Sequence, residues 1–175
     1  MSSQLKICYP PSLDTLCKFA DDTYLIIPAS NQSSRHTELL NIQNWTKQNN
    51  LSLNCNKLCK ILFTDTRRRR RRQVDEPPPL PGIVRSSTLK MLGVAIGNDF
   101  SISQHVQQLV ASSAQTNYAL RVLRYHGLDD AALQHVYRAT VVARLTYAAS
   151  AWHGFTKASE SQSIDSVINR ARRLG

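Results

Sequence analysis

The sequence predicts an α+β protein, on three observations. Runs of β-branched and aromatic residues bounded by turn residues recur up to about residue 100. From Ser101 onward the apolar spacing changes to the helical period. Between these regions an arginine run and a proline cluster fit neither pattern.

Residues 1–15 are polar, carry Pro10-Pro11 and read as an irregular start. Leu16 to Phe19 has a strand pattern, and Tyr24 to Ile27 has another, ended by Pro28. Ala20-Asp21-Asp22-Thr23 lies between them as a turn, because Asp hydrogen-bonds its own backbone and tolerates tight bends. A β-hairpin with two aspartates at its tip is expected. A helix follows over 33–49, with Leu39, Leu40, Ile42 and Trp45 as its apolar stripe, Ser33 or Ser34 near its start and Asn49-Asn50 as its stop. Residues 51–54 and 58–64 read as short strands, with Cys59, Ile61 and Phe63 on one face.

The stretch 67–87 reads as a solvated linker, since polyproline stiffens a chain and cannot join a sheet interior. A strand is expected over 89–96. Ser103 is placed to cap a helix running to His126, with Val106, Leu109, Val110, Leu120 and Leu123 inward and Gly127 as its stop. Asp129 or Asp130 caps a second helix, with Leu133, Val136, Tyr137, Val141, Leu145 and Ala148 inward. A third helix begins near Ser161, with Ile164, Val167 and Ile168 inward. Short connections between amphipathic helices favour an antiparallel bundle. The expected divisions are therefore 1–15, 16–66, 67–87, 88–100 and 101–175.

The composition narrows the function. Hydrophobic residues make up 42% of the chain, enough for a core. No apolar run reaches the roughly 18 residues of a membrane span, and the N-terminus lacks the layout of a secretory signal. A soluble intracellular protein is expected, in nucleus or cytoplasm. Lys and Arg total 22 against 12 acidic residues, a net charge of +10. Such a surplus attracts polyanions, nucleic acid being the commonest, whereas no strongly basic amphipathic helix points to a membrane. Cys8, Cys17, Cys55 and Cys59 form no CxxC and no zinc-type spacing, so reduced structural thiols are expected. The five histidines show no metal spacing.

Lys18-Phe19-Ala20-Asp21-Asp22-Thr23 carries the most chemistry. Two adjacent carboxylates exposed at a bend can share divalent cations. Nucleotidyl transfer uses two metal ions, and the protein's task is to hold carboxylates where those metals sit. Asp-Asp also occurs in turns with no further purpose, so the pair gains meaning from its order with other segments.

That order resembles a known family. Phe19-Ala20-Asp21-Asp22 looks like the palm box of reverse transcriptases, and the string from Lys18 to Ala29 is similar to that of LINE-type, jockey-like non-LTR retrotransposons. Trp45, then Asn50-Leu51-Ser52-Leu53-Asn54, then Lys57 resembles the family's next segment. Leu92-Gly93-Val94 with His105-Val106 resembles another. Tyr147-Ala148-Ala149-Ser150-Ala151-Trp152 and the end at Arg170-Ala171-Arg172-Arg173 are similar to the region after the palm. The likeness spans about 16–175.

The resemblance implies a partial polymerase palm followed by an antiparallel thumb-like helical bundle. It implies metal ligation by Asp21 and Asp22, with Mg²⁺ or Mn²⁺ in the complete enzyme. Lys57 stands near the incoming nucleotide's phosphates, although Leu58 replaces the usual Thr after it. Partners are an RNA template, a DNA primer and deoxynucleotides. Nucleic-acid contacts are expected from Arg67, Arg68, Arg69, Arg70, Arg71 and Arg72, from Lys90 beside the primer grip, and from Arg121 and Arg124. The family has a further metal-binding Asp well upstream of the box, but Asp14 is the only Asp before Asp21 and lies in a polar loop. The expectation is a truncated RNA-directed DNA polymerase, inactive as this fragment. The alternative is a non-catalytic basic nucleic-acid-binding retroelement remnant.

The remaining features have structural readings. The arginine run reads as a nucleic-acid phosphate contact, a nuclear-import signal or a solvated linker, and Pro77 to Pro81 as a stiff spacer. Trp45 and Trp152 are expected to pack in the core rather than stack on bases.

Overall fold

A computed structural model describes residues 14–20, 22–54, 57–64, 78, 80 and 82–173. The chain is mixed α+β and forms two compact units. Unit 1 comprises residues 1–58 and 75–82; unit 2 comprises 59–74 and 83–175. Residues 75–82 group with unit 1, while the stretches on both sides of them, 59–74 and 83–175, group with unit 2.

Unit 1 begins with the antiparallel pair β1 (Thr15–Phe19) and β2 (Asp22–Ile26). The register runs from Thr15 opposite Ile26 to Phe19 opposite Asp22, and Ala20 has φ 51°, the left-handed conformation that tight hairpins use. A 3₁₀ segment, Ala29–Ser34, leads into α1 (Arg35–Gln48). Ser34 is the N-cap but makes no capping bond. Its one hydroxyl proton is instead shared between the Asp14 carboxylate and the Asn31 carbonyl. Asn31 Nδ2 donates to the other Asp14 oxygen at 3.0 Å. Asp14, in irregular backbone just before β1, is thus a buried acceptor that holds the hairpin's start to the 3₁₀ turn.

The expected strand over 51–54 is absent. Asn50 adopts φ 54°, its N–H donates to the Lys47 carbonyl, and the Leu51 N–H reaches back to Thr46 at 2.8 Å. This paired closure of a helix C-terminus consumes the donor with which a strand would start. The expected strand over 58–64 shrinks to β3 (Cys59–Ile61).

Unit 2 opens with β3 paired in parallel to β4 (Val84–Ser86). β4 lies inside the stretch read as linker. The arginine run, most of the proline cluster and Asp21 fall outside the described residues. The expected strand over 89–96 is a hairpin, β5 (Thr88–Met91) and β6 (Val94–Gly97), joined by Leu92 at φ 46° and Gly93 at φ 87°.

α2 (Ser103–Tyr125) ends as expected at Gly127, which adopts φ 90° while Leu128 N–H closes onto Leu123. Its N-cap is Ile102; the Ser103 hydroxyl does not cap but donates to Glu160 on α6 (Ala158–Arg173). Glu160 also accepts from the Lys157 N–H at 2.9 Å, closing the first turn of α6. These two bonds hold its carboxyl below the usual carboxylate range. Asp129 caps α3 (Asp130–Tyr137) by accepting from Ala132 N–H at 2.7 Å.

The single helix expected over 129–148 is interrupted. A π-helical turn at Arg138–Val142 follows α3, then α4 (Ala143–Thr146) and α5 (Ala149–Trp152). The break is at Tyr147, with ψ 122°, and Ala148, with φ 50°.

Tertiary bonds fix that break. Tyr147 Oη donates to the Leu92 carbonyl at 2.9 Å, and Trp152 Nε1 donates to the Tyr147 carbonyl at 3.0 Å. A side chain at Gly93 would press on the Tyr147 ring at 3.3 Å. Val94, Ile102, Val106, Leu109 and Trp152 form the buried cluster, with Leu145, Ala148, Ala149 and Ile164 against it. Of the expected inward residues, Leu133, Val141 and Val167 are buried, but Leu123 and Val136 are exposed. Trp152 meets the core expectation; Trp45 is 43% exposed and does not.

Candidate nucleic-acid interface and candidate metal-binding hairpin

The hairpin tip is built by the short turn between β1 and β2. Asp22 opens β2, is exposed, and accepts a hydrogen bond from Tyr24 Oη at 3.3 Å. That bond uses one lone pair of one oxygen, so the carboxylate keeps acceptor capacity for a cation. Asp21 lies outside the described residues. On the neighbouring strand Lys18 places its ammonium 5.5 Å from the centre of the Trp45 ring. This cation–π contact positions a positive charge beside the exposed face of α1. Phe19, opposite Asp22, is 62% exposed.

Lys57 is exposed in the same unit, and its backbone N–H donates to Asn54 at 3.0 Å. Among the described residues no group of three or more His, Cys, Asp or Glu side chains gathers to hold a metal. Asp14, the other carboxylate near the hairpin in sequence, is committed to Asn31 and Ser34.

The basic candidates of unit 2 divide by environment. Lys90 projects from β5, exposed, and its charge adds to burial in pushing the His105 imidazole pKa down. His105 is buried edge-on against Trp152, with ring centres 5.4 Å apart, and its Nε2 has no hydrogen-bond partner. That environment favours the neutral ring and gives the histidine a packing role. Arg124 pairs with Asp130 at 3.3 Å across the turn between α2 and α3. Arg121 has no acidic partner among the described residues. The six arginines 67–72 lie outside them.

Sequence reading missed one basic feature. A groove of about 210 Å³ runs between α2 and α6, lined by Ala114, Asn117, Tyr118, Arg121, Val167 and Arg170. Tyr118 and Arg121 are three positions apart, the spacing of neighbours on one helical face, which was the available signal. Arg170 comes from the last turn of α6, and only packing brings it to them.

The segments that carry the family likeness in unit 2 meet in space. Leu92-Gly93-Val94, His105-Val106 and Tyr147 to Trp152 are joined by the Tyr147–Leu92 bond, the His105–Trp152 contact and the buried cluster. Their role here is to build the core of unit 2.

The chain matches no family model, no curated protein and no solved structure. Among the described residues no helix is long and apolar enough to cross a membrane.

Proposed function

We propose that this chain is part of the palm and the thumb-like region of a retrotransposon reverse transcriptase, contributing one carboxylate-bearing strand tip to a two-metal polymerase site. The observation that supports this most is the hairpin register. Phe19 faces Asp22, and Asp22 is exposed at the start of its strand with coordination capacity left. Two metals about 3.5–4 Å apart need carboxylates from more than one strand. The residues here supply one such tip, with Asp21 and Asp22 as ligands, Lys57 toward the nucleotide phosphates and the basic helices toward template and primer. Nucleotide addition by this chain alone is therefore not expected.

Manganese relaxation titration of the full chain tests the ligand assignment. Weak Mn²⁺ binding should disappear in an Asp21→Ala, Asp22→Ala variant; equal binding by both proteins overturns the metal reading. Primer extension with Mg²⁺ or Mn²⁺ should give no incorporation above that same variant. Incorporation would overturn the half-site description.

A second reading, a basic nucleic-acid-binding remnant without chemistry, is favoured by Arg121 and Arg170, which stand exposed on helices without acidic partners among the described residues. Nucleic-acid binding that survives loss of both aspartates, in a chain that takes up no Mn²⁺, selects it.

A further inference from the structure

The α2–α6 groove has a built floor and a charged rim. Ala114, Asn117 and Val167 form the floor, and Asn117 Nδ2 donates to the Val167 carbonyl at 3.2 Å, tying the two helices together. Asn117 is 7% exposed, and its Oδ1 has no hydrogen-bond partner. The rim is Tyr118, Arg121 and Arg170. Tyr118 is 69% exposed, so the face of a large ring stands in solvent beside two guanidinium groups.

Leaving such a ring exposed costs apolar hydration, and two nearby unpaired arginines repel each other. One kind of ligand relieves both at once: an anion for the guanidiniums joined to a flat ring for the tyrosine. The volume is smaller than the roughly 300–1,000 Å³ of pockets that enclose drug-sized ligands. It suits one repeating element of a longer polymer that continues over the surface. The polymer must be anionic, given a net charge of +10.

We propose that the groove binds single-stranded nucleic acid, with Arg121 and Arg170 holding a backbone phosphate and Tyr118 stacking on an adjacent base. Tyr125, on the same helix seven residues on and 88% exposed, extends the stacking platform toward the helix end. Unpaired bases offer faces to aromatic side chains, whereas a duplex hides them in its own stack. The site therefore prefers a single strand to a duplex. This deepens the nucleic-acid reading above but does not depend on the aspartates.

Fluorescence anisotropy on the full chain tests it, with a labelled oligo-uridylate of about 12 nucleotides, a duplex of equal length and poly-glutamate as probes. Tyr118→Ala should weaken oligo-uridylate binding about tenfold, the scale of one base–aromatic stack, while Tyr118→Phe keeps it. Arg121→Gln with Arg170→Gln should lower the slope of log affinity against log salt by about 0.7, the loss of one single-strand phosphate contact. Oligo-uridylate binding unchanged in all three variants, or poly-glutamate binding as strong and as sensitive to Tyr118→Ala, overturns the proposal. All three rim residues are exposed, and circular dichroism checks that each variant is folded. Loss of oligo-uridylate binding in the groove variants alone, with Mn²⁺ uptake absent, would remove the polymerase reading and leave the groove standing. The reverse pattern would remove the groove and leave the hairpin.

Discussion

Trp45 and Trp152 hold opposite situations in the two units. Trp152 is 2% exposed, hydrogen-bonded through its indole N–H and set edge-on to His105. Trp45 is 43% exposed and has the Lys18 ammonium 5.5 Å from its ring centre. The contrast extends to whole units. Among the described residues, unit 1 buries Asp14, Thr46 and Leu80, and leaves Phe19, Ile26, Leu40 and Leu51 more than half exposed. Unit 2 buries a contiguous cluster built from β6, α2 and α5. The same kind of sequence periodicity therefore produces a core in one region and an open apolar surface in the other. A helix and a two-stranded hairpin have too few faces to enclose each other's apolar stripes.

The sharpest test of this contrast is the matched pair of substitutions. Trp152→Ala should destabilise unit 2 by about 3–5 kcal/mol, the range for emptying a packed aromatic site. Trp45→Ala should cost about 1–2 kcal/mol, from partial burial and one exposed cation–π contact. Urea unfolding with tertiary probes in each unit compares them; equal losses would erase the distinction.

The next effect concerns how unit 2 fixes its broken helix. Gly93→Ala should cost about 1–2 kcal/mol, since alanine is strained at φ 87° and its methyl group meets Tyr147 at 3.3 Å. Gly127→Ala carries comparable backbone strain at φ 90° but meets nothing within 4 Å. The excess loss at Gly93 over Gly127, read from thermal melts, measures the Tyr147 contact. No excess would mean that the tyrosine ring moves aside freely.

The smallest expected effect is a pH dependence confined to unit 2. Burial, then the charge of Lys90, push the His105 imidazole below its ordinary value of 6.5. The folded state therefore binds fewer protons here than the unfolded state as pH falls past that value. Stability from this group is fully present above about pH 6.5 and declines as pH drops toward the lower folded pKa. Glu160, whose carboxyl is also lowered, loses its contribution in a separate window beginning near pH 4.5. Melting temperature between pH 7 and 5 should fall less in His105→Phe than in the parent chain. An unchanged slope would assign the acid sensitivity to another group.

Much of the local structure was legible in the sequence, for reasons that particular residues show. Gly127 terminates α2 because only a residue at ease with positive φ closes that turn. Asp129 caps α3 because its short carboxylate reaches the Ala132 N–H. The first hairpin follows from strand runs separated by turn formers. The failures are equally physical. The 51–54 stretch has strand-like alternation, but its first N–H is taken by the end of α1. β4 was hidden in a polar, proline-flanked stretch and exists through parallel pairing with a segment 25 positions earlier. The break between α4 and α5, at Tyr147 and Ala148, has no proline or glycine to announce it. It follows from the Tyr147 hydroxyl reaching the Leu92 carbonyl.

For the candidate sites, the sequence by itself determined the residue types: paired carboxylates between two strands, a surplus of arginine, and tyrosine and arginine spaced along one helix. Local backbone preferences act over a few residues, so caps, turns and periods are encoded where they occur. Only the tertiary structure decided which of these residues act together. It engaged Asp14 in structural hydrogen bonds, moved Trp45 out of the core, joined three separate segments into one core, and brought Arg170 to Tyr118 and Arg121. Those outcomes depend on which surfaces remain uncovered after distant segments pack, a property of no single stretch of chain.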